Sequence, residues 1–149
     1  MVFADLDHFK RYNDTWGHLA GDEALAAVAA LCKEQLRAAR DLAGRFGGEE
    51  FCIFLPGTGS AEAAAVAERL RVAVREMRLP GSGASVTVSL GVAGSDGTTG
   101  EVEFAEVMHQ ADRALLEAKT AGRDGVRVAV VDAADERLLR SWPGVTPHP

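Results

Sequence analysis

Apolar positions in this chain recur in two rhythms, alternating and helical, and the changes between them mark out its elements. Val2 to Leu6 is a short apolar run closing on Asp5-Leu6-Asp7, which predicts a buried strand presenting carboxylates at its C-terminal end. In an open sheet that end is where a ligand or metal is held. Residues 8 to 21 mix aromatic, basic and glycine residues without strong periodicity, and no element is assigned to them. From Asp22 to Arg40, Leu25, Val28, Leu31, Cys32 and Leu36 fall at helical spacing with alanines between them, which predicts a helix. Arg45 to Leu55 then places Gly47-Gly48 between aromatic and branched residues, the mark of a tight hairpin.

Pro56-Gly57-Thr58-Gly59 breaks the second hairpin strand, and Ser60 is the expected N-cap of another helix with Glu62 in its first turn. Val66, Leu70, Val74 and Met77 form its buried stripe up to about Arg78. After a turn at Pro80-Gly81-Ser82-Gly83, Val86, Val88, Leu90 and Val92 alternate with small or polar residues, which predicts a strand. Ser95 to Gly100 reads as a mobile loop. Phe104, Val107, Met108, Ala111, Leu115 and Leu116 predict a helix ending at Gly122, and Val126 to Val131 a last strand. The order β-α-β-β-α-β-α-β implies an α+β fold with a mainly antiparallel central sheet covered by helices. Residues 132 to 149, with Pro143, Pro147 and Pro149, read as an appendage that is partly disordered.

Length and charge narrow the function. A chain of 149 residues, 47% hydrophobic and 26% charged, is expected to be one soluble globular domain with a real core. No apolar run approaches a membrane span and the start lacks a signal peptide's features, so a cytoplasmic location is expected. Cys32 and Cys52 have no metal-ligand spacing and read as core thiols. The net charge of −6 argues against a general nucleic-acid surface. A protein this acidic that takes an anionic ligand must neutralise it locally, with a metal and a few basic residues.

Glu49 and Glu50 are the unusual pair. Adjacent carboxylates beside a glycine turn repel each other and add nothing to a core, so they suit either a solvated hairpin tip or a site over which a cation sits. Gly47-Gly48-Glu49-Glu50-Phe51 resembles the signature of the GGDEF family, the diguanylate cyclase domains, in its GGEEF form. Asp5-Leu6-Asp7-His8-Phe9-Lys10 with Asn13-Asp14, Gly17-His18 and Gly21-Asp22 resembles the family's other long motif. Ala114-Leu115, Ala118-Lys119 and Gly122-Arg123 resemble its C-terminal motif, so the likeness covers residues 2 to 131 and a domain spanning 1–131 is expected.

The resemblance implies the palm-like fold of class III nucleotidyl cyclases and the condensation of two GTP into cyclic di-GMP with release of two pyrophosphates. It implies Mg²⁺, with Mn²⁺ as a substitute, held by Asp5, the main-chain carbonyl of Leu6 and Glu49. Glu49 is then the expected general base, with Glu50 beside it as a supporting carboxylate or second metal ligand. Asn13 and Asp22 correspond to the guanine readers, since an amide plus a carboxylate complements guanine and mismatches adenine. On residue type alone, Asn13 suits a turn and Asp22 a helix N-cap. Phe9 and Lys10 correspond to phosphate contacts made largely through main-chain amides, and Lys119 and Arg123 to contacts with the terminal phosphates. His18 and His109 receive no role.

Catalysis in this family implies a transient homodimer, because one domain holds one GTP and the product contains two. Two departures stand out. The inhibitory product site, Arg-x-x-Asp, would end at Asp41, but Ala38 stands where its arginine belongs and Arg37 and Arg40 lack the spacing. The family's upstream segment, with Leu-Thr-Gly-Leu and Asn-Arg, is missing, so an N-terminal sensor or regulatory domain outside this chain is expected. The alternative function is a non-catalytic module that binds GTP or cyclic di-GMP.

Overall fold

The computed structural model describes residues 1–37, 40–94 and 102–131. Strand β1, Val2–Leu6, is buried at every position and occupies the middle of a five-stranded sheet. Helices α1, Phe9–Trp16, and α2, His18–Glu34, follow it, then the hairpin of β2, Leu42–Gly47, and β3, Glu50–Phe54. Helix α3, Ser60–Glu76, strand β4, Val88–Gly94, helix α4, Phe104–Thr120, and strand β5, Val126–Val130, complete the described elements. The strand order is β2-β3-β1-β4-β5, antiparallel throughout except that β5 runs parallel to β4. A parallel neighbour needs a crossover, and α4 supplies it.

Alternation along the strands sends side chains to two unequal cores. On one face Val2, Ala4, Leu6, Ile53, Leu90 and Val92 pack with Leu25 and Val28 of α2 and Ala67, Leu70 and Val74 of α3. On the other Met1, Phe3 and Ala93 pack with Ala111 and Leu115 of α4. Gly91 is what lets α4 come so near, since a Cβ there would run into the backbone at Ala111 and Leu115. An α+β sandwich with a mainly antiparallel sheet is therefore the observed architecture.

Several boundaries differ from the sequence expectation. The unassigned stretch 8 to 21 forms α1 and the first turn of α2. Only Phe9 and Tyr12 of α1 are buried, so its periodicity is a single pair of positions and too short to register. Gly17, with φ of 83°, separates the two helices, which starts α2 at His18 and leaves Asp22 inside it, so Asp22 is no N-cap. The same helix stops at Glu34, short of Arg40. Past that end the Arg37 N–H is bonded to the Asp41 carboxylate, 2.9 Å away, in place of a helical partner.

Gly59, in extended conformation, precedes α3, and Ser60 is its first residue instead of its cap. That helix ends at Glu76 because Met77 is extended, and β4 joins the ladder at Val88, although Val86 is also buried. Leu116 and Phe104, placed by periodicity on the buried stripe of α4, are 61% and 57% exposed. Gly122, with φ of 118°, follows the α4 C-cap residue Ala121, and the Arg123 N–H donates to Ala118 O at 3.0 Å, a Schellman closure. The expected loop at Ser95 to Gly100 and the appendage at 132–149 lie outside the described residues, as does Ala38.

Candidate functional site

The site forms where β1 ends against the hairpin tip. Asp5 faces Glu50 in the β1–β3 ladder and Ser89 in the β1–β4 ladder, and the Leu6 N–H donates to Glu49 O at 3.3 Å. Gly48 turns the hairpin with φ of 46°, a conformation that L side chains rarely adopt. Arg45 closes the same turn, its Nε donating to Gly48 O at 2.7 Å. Glu49 therefore sits within a braced turn, beside the end of the central strand.

Asp5 is buried, and Lys119 Nζ lies 2.8 Å from its Oδ2. Burial pushes the Asp5 carboxyl above the usual carboxylate range. The Lys119 ammonium opposes that rise, while the nearby negative charges of Glu49 and Asp7 add to it. Loss of hydration outweighs the single ion pair, as expected for a charge taken out of water with one partner. Among the described residues no three His, Cys, Asp or Glu side chains gather into a metal cluster. Mg²⁺ does not need one, because it is bound through one or two carboxylates together with substrate phosphates. Asp5 and Glu49, near enough to interact electrostatically, and the carbonyl of Leu6, the residue after Asp5, are hard oxygen donors of that kind.

Beside this lies a cavity of about 190 Å³ bordered by Phe9 and Asn13 of α1, by His18, Gly21, Asp22 and Leu25 of α2, and by Arg45, Gly48 and Glu49 of the hairpin. Asn13 Oδ1 is buried without a hydrogen-bond partner. Leaving a carbonyl oxygen so costs about 1–3 kcal/mol, which a donor entering the cavity would relieve. Gly21 makes room for the amide, since a Cβ there would collide with Asn13 Oδ1. Phe9 is stacked on Tyr12 with ring centroids 5.9 Å apart, which fixes its ring at the cavity wall.

The structure thus brings Phe9, Asn13, Asp22 and Glu49 to one cavity and joins Asp5 to Lys119 next to it. Lys10 and Arg123 are exposed and do not border the cavity. Glu50 borders a different groove of about 420 Å³, shared with Phe3, Phe46, Met108, His109 and Leu115. The two adjacent glutamates thereby border different cavities, Glu49 from the turn and Glu50 from the first position of β3. Sequence reasoning passed over His18 and Arg45, both at the cavity wall. Arg45 was findable from its place just before the glycine pair, whereas His18 has no signal apart from its neighbours. Where the family's inhibitory motif would end, Asp41 is held by Arg37 through Nε at 3.1 Å and Nη2 at 2.9 Å. That guanidinium keeps the Asp41 carboxyl below its usual range.

The fold is an α+β domain with a mostly antiparallel five-stranded sheet, the architecture of solved GGDEF cyclase domains. The family described as "Diguanylate cyclase, GGDEF domain" matches residues 1–125, and the chain belongs to it. Among curated relatives, diguanylate cyclase DgcP of Pseudomonas aeruginosa is 44% identical over 132 residues, covering 87% of this chain and 19% of that protein. Among solved structures, the active GGEEF domain of a diguanylate cyclase from Vibrio cholerae superposes with a TM-score of 0.78 at 31% identity, covering 85% of this chain and 80% of that one. The GGDEF domain of DgcB from Caulobacter crescentus, solved in complex with c-di-GMP, superposes with a TM-score of 0.75 at 34% identity, covering 85% and 75%. The chain spans 19% to 34% of the length of the first two curated relatives it matches.

Proposed function

We propose that this domain condenses two GTP molecules into cyclic di-GMP, each of two facing domains contributing one bound GTP. The observation that carries the reading is the orphaned Asn13 Oδ1 in a cavity also bordered by Asp22 and Glu49, one strand end away from Asp5. Asn13 and Asp22 bind the guanine: the Asp22 carboxylate accepts from its N1 and N2 hydrogens, and the amide supplies both a donor and an acceptor. Amides at the α1 N-terminus, at Phe9 and Lys10, receive phosphate oxygens, as helix N-termini do. Lys119 and Arg123 hold the terminal phosphates.

Asp5, the Leu6 carbonyl and Glu49 would hold Mg²⁺, or Mn²⁺ in its place, which when bound neutralises the phosphates and lowers the barrier to attack on them. The ribose 3′-hydroxyl of one nucleotide attacks the α-phosphate of the other, pyrophosphate leaves, and Glu49 accepts the hydroxyl proton. Glu50, at the first position of β3, supports the turn electrostatically or supplies a second metal ligand. Two such steps, one at each domain, close the ring, so the working unit is a transient homodimer.

The domain is proposed to act in the cytoplasm under an N-terminal sensor or regulatory region. Among the described residues no helix is long and apolar enough to cross a membrane. A second reading, a module that binds nucleotide without turnover, draws on the Lys119–Asp5 ion pair, which already occupies the carboxylate a metal would use. Incubation with Mg²⁺ and GTP followed by product analysis separates the two. Cyclic di-GMP and pyrophosphate are expected; GTP bound yet unconverted, at protein concentrations that give a dimer, would overturn the cyclase reading.

A further inference from the structure

Asp7 stands outside the chemistry described so far, yet it is buried and fully engaged. Its Oδ1 accepts from Ser89 Oγ at 2.7 Å, and its Oδ2 accepts from Thr87 Oγ1 at 2.7 Å and from the Asp124 backbone N–H at 3.0 Å. The last of these bonds ties the end of β1 to the turn between α4 and β5. That turn is unusual: Arg123 and Asp124 take φ of 65° and 41°, two successive L residues in the left-handed region. Such a pair persists only where its surroundings over-determine it.

The remaining constraint comes from α3. The Asp124 carboxylate accepts from Arg71 Nη1 at 2.6 Å and from Arg75 Nη1 at 3.5 Å. Arg71 is itself aimed by Glu68, which takes its Nε at 2.9 Å and its Nη2 at 2.7 Å. A chain of charge-assisted bonds therefore runs from Glu68 through Arg71 and Asp124 to Asp7, and the residue it holds next to Asp124 is Arg123. Arg71 is far in sequence from every motif that marks the active site, and its side chain has little exposure.

We propose that Arg71 and Asp7 are positioning residues that clamp the Arg123–Asp124 turn in its left-handed form, so that Arg123 stands ready beside Lys119 for the terminal phosphates of the bound nucleotide. The inference rests on the cyclase reading for the role of Arg123, while the clamp on the turn is a property of the ligand-free protein. A turn already held in place brings its arginine to phosphate oxygens without first losing its own backbone freedom.

The test compares Arg71→Gln with the unaltered chain by equilibrium binding of GTP and of GMP, and by hydrogen exchange at the Asp124 amide. GTP affinity should fall roughly tenfold with GMP affinity unchanged, since only the terminal phosphates are affected. Arg71→Lys should recover part of the loss. In an Arg123→Ala background the same change should have no further effect, because the group it positions is gone. Amide protection at Asp124 should drop in Arg71→Gln. Equal losses for GTP and GMP, or effects that multiply in the double variant, would make Arg71 merely structural and overturn the inference. Protection unchanged in Arg71→Gln would overturn it alone. If the unaltered chain bound no GTP, the cyclase reading would fail, and the Asp124 amide would still decide whether the clamp exists. Should Arg71→Gln not fold, Arg71→Lys and Asp124→Asn carry the same readouts.

Discussion

Asn13, Gly21 and Asp22 form a unit in which each residue type has a separate physical reason. The amide carries a buried acceptor with no partner, the glycine leaves the space that amide occupies, and the carboxylate borders the same cavity. Gly21→Ala is accordingly a sharp probe. Alanine favours a helix interior over glycine by about 1 kcal/mol, so the fold should survive, but the new methyl displaces the Asn13 amide and GTP binding should fall by at least tenfold. Binding titrations alongside a thermal melt check this; normal affinity would mean that the cavity is not the guanine site. Asp22→Ala should lower GTP affinity by about 1–3 kcal/mol and erase the preference over ATP, read from parallel titrations with the two nucleotides. Asp5→Asn and Glu49→Gln should each abolish cyclisation with little change in melting temperature. Asp5 gives up a charge that burial already penalises, and Glu49 sits at a partly exposed turn.

At the scale of elements, the contact between β4 and α4 depends on Gly91. A Cβ there meets main-chain atoms of Ala111 and Leu115, which cannot swing aside as a side-chain tip can. Gly91→Ala should therefore cost about 1–3 kcal/mol in urea denaturation, and more if α4 must lift off the sheet. Since Lys119 rides on the last turn of α4 and reaches Asp5, activity should fall along with stability. On the opposite face, Cys32 in α2 is buried and its thiol is pushed up to about 11 by burial. An unfolded chain ionises this thiol near 9, the folded one only near 11, so the group's contribution to stability is intact below pH 9 and is lost as pH rises through 11. Native protein at pH 8 should react with a thiol reagent at Cys32 only as fast as it opens, which labelling followed by mass spectrometry would show.

For the whole molecule, the proposed reaction joins two nucleotides, and if each chain holds one of them at the cavity beside Asn13, two chains must meet. Specific activity should rise with protein concentration and level off as the dimer saturates. A rate per chain independent of concentration, in a protein that sedimentation shows to be monomeric, would contradict it. Feedback belongs to the same scale. With Arg37 already paired to Asp41, cyclic di-GMP is expected to compete with GTP at the active site, so raising GTP should relieve its inhibition. Noncompetitive inhibition lost on Arg37→Ala would instead mean that this pair still reads the product.

The sequence by itself determined the fold class, the hairpin and the family, because these rest on periodicity and on residue types at fixed local spacing. Val2 to Leu6 reads as a buried strand from its own composition, and Gly47-Gly48 reads as a turn from what glycine alone can do. Local pattern could not define α1, whose buried face is Phe9 and Tyr12 only, nor show that Leu116 faces outward while Leu115 is buried, since one step along a helix turns the side chain by about 100°. Tertiary structure alone decided that Glu49 and Glu50 border different cavities and that Asp5 carries a lysine from α4. It also decided that Arg71 reaches the turn next to Arg123 across 53 residues of chain. Those contacts join segments distant in sequence, and no local rule of spacing encodes which distant groups a packed fold will bring within hydrogen-bonding reach.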